Sequence, residues 1–94
     1  MGTRFIVNSV FFGNMERKQP HPFGNLIIQE RKRIGLSQYA LAKRLGKNTR
    51  ELAIIEKGLR EPRFSTLLKL ADALEIPVGE LAEKLAKEVR KMES

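Results

Sequence analysis

Gly35–Gly46 reads GLSQYALAKRLG, and Asn48–Gly58 reads NTRELAIIEKG. In the first stretch Ser37 is an N-cap for Gln38–Leu45. Leu41, Ala42 and Leu45 there share one helical face, and Gly46 supplies a left-handed stop. In the second, Asn48 with Glu51 three residues on is a capping box. The helix it opens runs to Lys57 and turns Leu52 and Ile55 inward. The result is two short amphipathic helices joined by a tight turn carrying a glycine. Such a pair can lay its second helix in a DNA major groove while the first braces it against the backbone.

The chain on either side is helical as well, apart from its start. Asn25–Ile34 places Ile27, Arg31 and Ile34 on one face and stops at Gly35. Gly58–Arg63 is a basic loop closed by Pro62. A fourth helix spans Phe64–Leu74, with Leu67, Leu70, Ala71 and Leu74 as its stripe. Pro77 opens a fifth, from Val78 to about Met92, whose apolar stripe is Leu81, Leu85, Val89 and Met92. These elements predict an all-α, five-helix domain over residues 25–92.

Residues 1–24 read as a separate arm and linker. Thr3–Phe12 is rich in Phe, Val and Ile and reads as β-strand. Phe5, Ile6, Val7, Val10, Phe11 and Phe12 make a cluster too apolar to hang in water. The arm is therefore expected to pair with the same segment of a second chain and to help make a dimer; the alternative is that it folds back onto its own helices, beside Val89 and Met92. Lys18–Gly24 (KQPHPFG) has the composition of a linker. Its His21, set between two prolines, reads as a linker residue rather than a metal ligand or base.

Charge is unevenly spread. Residues 17–63 hold 12 Lys and Arg against 4 Glu, a net +8, while residues 64–94 hold 5 against 6, a net −1. The positive field thus coincides with the paired short helices, where phosphates would have to be neutralised. With 94 residues the chain makes one modest core and encloses no deep substrate cavity. It has no Cys, which excludes a thiolate nucleophile, a disulfide and a Cys-based zinc site. No nucleophile and base are paired, no Gly-rich loop cradles phosphate and no ligand cluster suggests a metal. The chain therefore reads as a non-enzyme with no catalytic residues, metal or cofactor. It has no membrane-spanning run, and a cytoplasmic setting is expected.

Residues 26–81 resemble the phage-repressor and Cro-type helix-turn-helix family, the XRE family. The resemblance is carried by Arg31, Gly35-Leu36-Ser37-Gln38, Leu41-Ala42, Leu45-Gly46, Ile55-Glu56-Lys57-Gly58, Pro62 and Leu67-Leu68-Lys69-Leu70-Ala71-Asp72-Ala73-Leu74. It implies that Gln38 and Asn48 meet backbone phosphates and that Thr49 and Arg50 reach base edges. Arg50 could pair bidentately with guanine, and the Thr49 methyl could meet a thymine methyl. Ala53 and Ile54 are the outward positions that follow. Arg60 lies in the basic loop, and Arg63 matches a position from which an arginine can enter a narrow minor groove. Arg31 and Glu56 match a buried structural ion pair. Lys47 stands where the family has an apolar residue, and its ammonium can swing out to a phosphate. Glu51 is an anion facing a polyanion, unless the capping box occupies it or a cytosine amino group donates to it. The implied function is a sequence-specific transcriptional regulator, a repressor, binding double-stranded DNA as a homodimer. The alternative is an antitoxin that represses its own operon and neutralises a toxin protein with the extra arm.

Overall fold

The computed structural model describes residues 20–59 and 61–93. The strand-like arm and Arg60 lie outside the described residues. Five helices follow in order: α1 (Pro22–Arg33), α2 (Gln38–Leu45), α3 (Thr49–Glu56), α4 (Phe64–Ala73) and α5 (Val78–Glu93). Helix α1 packs on α3 and α5, α2 on α3 and α4, and α4 on α5. No strand occurs among the described residues, as the all-α reading requires.

Each start signal acts as its chemistry dictates. The Ser37 hydroxyl accepts from the Ala40 amide at 3.0 Å. The capping box at α3 is complete: Glu51 N–H donates to Asn48 Oδ1 at 2.8 Å, and Asn48 N–H donates to Glu51 Oε1 at 3.1 Å. Between α2 and α3, Gly46 takes φ +69°, a left-handed turn that a side chain would strain.

One boundary moves. Helix α1 begins at Pro22, not Asn25, so the linker read over 18–24 ends before Pro22. Proline suits a first helical turn, where its missing N–H is no loss. His21 is not a bare linker residue, because its Nδ1 accepts from the Phe23 amide at 3.2 Å and caps the helix. Its backbone N–H also donates to the Gly58 carbonyl oxygen at 2.8 Å, tying the start of α1 to the end of α3. Gly24 makes that contact possible, since a Cβ there would meet Gly58 N at 2.8 Å and the Glu56 carbonyl closer still.

Phe23, Ile27, Leu41, Leu52, Leu70, Leu74 and Leu81 are fully buried, each worth about 1.5–3 kcal/mol of transfer free energy. Leu67 and Ala71 are buried as the stripe predicted, whereas Ile34, Leu45 and Ile55 are only half-buried at the edge of the core. The last helix departs most. Only Leu81 of its stripe is buried, Leu85 and Val89 are half-covered, and Met92 is 46% exposed. No helix among the described residues is long and apolar enough to cross a membrane.

Candidate nucleic-acid interface

The second short helix, α3, is anchored at both ends. At its C-terminal end the Glu56 carboxylate takes Arg31 Nε at 2.7 Å and Arg31 Nη2 at 3.2 Å. It also accepts from the Gln38 amide nitrogen at 2.9 Å. Arg31 Nη1 donates to the Leu36 carbonyl oxygen at 3.1 Å, fastening the loop ahead of α2. At its N-terminal end the capping box holds Asn48 and Glu51 to one another. That occupies the Glu51 carboxylate, the condition under which an anion is tolerable on this face.

Between these anchors α3 turns its first residues outward. Arg50 is exposed and has no ion pair or side-chain hydrogen bond among the described residues, and Thr49 beside it is half-buried. Ala53 and Ile54 are half-buried one turn further on. A cleft of about 330 Å³ runs alongside, lined by Lys47, Glu51, Ile54, Ile55, Glu61, Pro62, Arg63 and Thr66. Lys47 and Arg63, from opposite ends of α3, are thereby brought to one edge of the helix. Arg63, the N-cap of α4, is exposed and makes no ion pair among the described residues.

The cations divide into two sets. Arg31, Arg33 and Arg44 are spent on Glu56, Glu30 and Glu75 respectively. Lys32, Lys43, Lys47, Arg50, Lys57 and Arg63 have no ion pair among the described residues. Of the paired set, the family resemblance marks only Arg31; the rest could not be sorted from the sequence, because pairing depends on which acid lies beside each cation. Gln38 was expected to present its amide to a phosphate, and the structure commits one of its N–H groups to Glu56. An amide carries two such donors, so the second stays available.

Sequence reasoning missed Glu30. It is buried, and its two carboxylate oxygens take Arg33 Nε and Lys84 Nζ at 2.8 Å each, joining α1 to α5. Burial pushes its carboxyl up, but the hydrogen bonds and charges of Lys84 and Arg33 outweigh that and hold it below the ordinary carboxylate value. Nothing in the local pattern marks it, since an exposed Glu on a helix looks the same.

The helix-turn-helix family model matches residues 27–81. The restriction-modification controller protein C.AhdI from Aeromonas hydrophila is 36% identical, with 65% of this chain and 88% of that one covered at a TM-score of 0.60. The N-terminal DNA-binding domain of SinR from Bacillus subtilis is 33% identical over 66% of this chain and 91% of its own, with a TM-score of 0.58. The protein C.Esp1396I, solved bound to a 25 base pair operator site, shares the fold at 23% identity, 79% and 97% coverage and a TM-score of 0.67. A comparison with curated proteins finds no match. With more than half its length inside the matched region, the chain belongs to the XRE-type helix-turn-helix family of DNA-binding transcriptional regulators.

Proposed function

We propose that the chain is a sequence-specific repressor that binds double-stranded DNA as a homodimer, with α3 in the major groove. The observation that carries this reading is the division of polar groups around α3. Asn48 Oδ1, Glu51, Arg31 and Glu56 are engaged in holding the helix, with the Asn48 side-chain amide N–H groups left to meet a phosphate, while Arg50, Lys47 and Arg63 have no ion pair among the described residues. A guanidinium at the start of a groove helix can pair with the O6 and N7 of guanine. Lys47 and Arg63 flank it, the first suited to a phosphate and the second to a narrow minor groove. Likeness to C.AhdI and to the SinR DNA-binding domain supports the same reading.

Base contact rests on few side chains, because Ala53 and Ile54 offer only apolar contact. Specificity then comes from DNA shape and from half-site spacing in a symmetric dimer, about 34 Å between equivalent positions. Repression needs only occupancy of DNA that a polymerase must use. No feature of the described residues favours a toxin-neutralising role, and the arm on which that alternative rested lies almost wholly outside them.

Selection of bound sequences from a random DNA pool, with the mass of the free protein measured alongside, tests the proposal. A palindrome and a dimeric mass are expected. Recovery of no preferred sequence would overturn base reading by α3, and a single asymmetric half-site with a monomeric mass would overturn the dimer.

A further inference from the structure

Two neighbouring cations in the last turn of α2 have different fates. Arg44 donates through Nη1 to the Ala73 carbonyl oxygen at 2.8 Å and pairs with Glu75 at 3.0 Å, so it closes the end of α4. Lys43 is exposed and has no acid beside it among the described residues. Its ammonium instead lies 5.6 Å from the centroid of the Tyr39 ring, one helical turn earlier on the same flank. At that separation the ring quadrupole attracts the cation and restricts where it points. Tyr39 is itself 63% exposed, so the ring serves no core.

We propose that Tyr39 and Lys43 make an outlying contact to DNA, on the phosphate backbone beyond the bases that α3 covers. The proposal rests on α3 lying in the major groove. Tyr39 directly follows Gln38, whose amide is fixed by Glu56 where the start of α2 meets α3. In that pose the start of α2 abuts the backbone, and the Tyr39–Lys43 flank continues along it. The phenol hydroxyl donates to one phosphate oxygen and the ammonium to the next. The uncompensated charge of Lys43, set within a region of net +8, selects a polyanion. An acidic protein surface is the competing occupant, and the same test separates the two.

The test uses the full chain and the duplex recovered by selection, in two lengths. One is trimmed to the bases α3 covers, and the other carries about 10 further base pairs, one helical turn, at each end. On the longer duplex Lys43→Gln binds roughly three- to tenfold more weakly, and its salt slope falls by about 0.9, the share of one phosphate. Tyr39→Phe keeps the ring, loses the hydroxyl and weakens binding with the slope unchanged. On the trimmed duplex both variants match the parent. A loss that persists on the trimmed duplex overturns the proposal. Parental binding by both variants on the longer duplex also overturns it, and leaves the patch to an acidic protein partner. Arg50→Ala is measured in parallel, and its binding like the parent would locate the failure in the groove reading itself.

Discussion

Arg31 and Glu56, 25 residues apart in sequence, form a two-point ion pair with side chains only 12% and 4% exposed. It joins α1 to the end of α3 and, through Gln38, reaches the first turn of α2. The orientation of α3 against α2 therefore depends on one carboxylate and the donors around it.

Removing either partner strands a nearly buried charge and its hydrogen-bond donors or acceptors. Arg31→Ala or Glu56→Ala is expected to cost about 3–5 kcal/mol, enough to unfold much of a domain this small. Replacing both with apolar residues of similar volume should recover much of the loss. Denaturant unfolding followed by circular dichroism reads the result, and single variants that unfold like the parent would show the pair to be dispensable.

Arg50→Ala should weaken specific binding by about 1–3 kcal/mol and relax preference at one base position per half-site. Lys47→Ala should instead weaken binding to every sequence and lower the salt slope by about 0.9. Titrations on selected and random duplexes at several salt concentrations distinguish the two. Equal loss on both duplexes for Arg50→Ala would reduce its contact to phosphate.

Glu75 follows α4 with φ +60°, the left-handed conformation that glycine adopts without steric cost. Its side chain and that of Arg44 are 64% and 41% exposed, so their pair contributes at most about 1 kcal/mol. Relief of the left-handed strain is worth about 1–2 kcal/mol. Glu75→Gly is therefore expected to raise the thermal midpoint slightly, and a clear drop would mean that the Arg44 pair outweighs the strain.

Glu30 titrates below its ordinary value of 4.5 because Lys84 and Arg33 stabilise the carboxylate more than burial disfavours it. A depressed folded value means stability that is present above the unfolded value and lost as pH falls through the folded one. The window therefore opens near pH 4.5 and extends below it. Glu30→Gln should be less stable than the parent at neutral pH, with the gap narrowing as pH falls below that point. A gap that stays constant down to pH about 3 would assign the loss to packing rather than to the ion pairs.

The helices between residues 25 and 92 were largely legible because their signals are local. Ser37, Asn48, Gly46 and Pro77 start or stop helices through bonds to backbone a few residues away, and the stripe from Leu67 to Leu74 needs only helical periodicity to be read as core. The start of α1 was not legible, since Pro22, Phe23 and Gly24 in KQPHPFG have a turn-like composition. They become helix only because Phe23 enters the core and Gly24 fits against the Glu56 carbonyl. The role of Arg31 and Glu56 could be carried over from a family pattern, whereas that of Glu30 could not. A carboxylate that bridges Arg33 to Lys84, 54 residues away, exists only once α5 lies on α1. The cations follow the same rule. Sequence alone determined how many there are and that they cluster between residues 17 and 63. Tertiary structure decided which of the others are spent on acids brought beside them, as Arg44 is on the exposed Glu75, and which remain to meet a polyanion, because an ion pair is made by proximity in space, and sequence spacing reveals it only within a single helix.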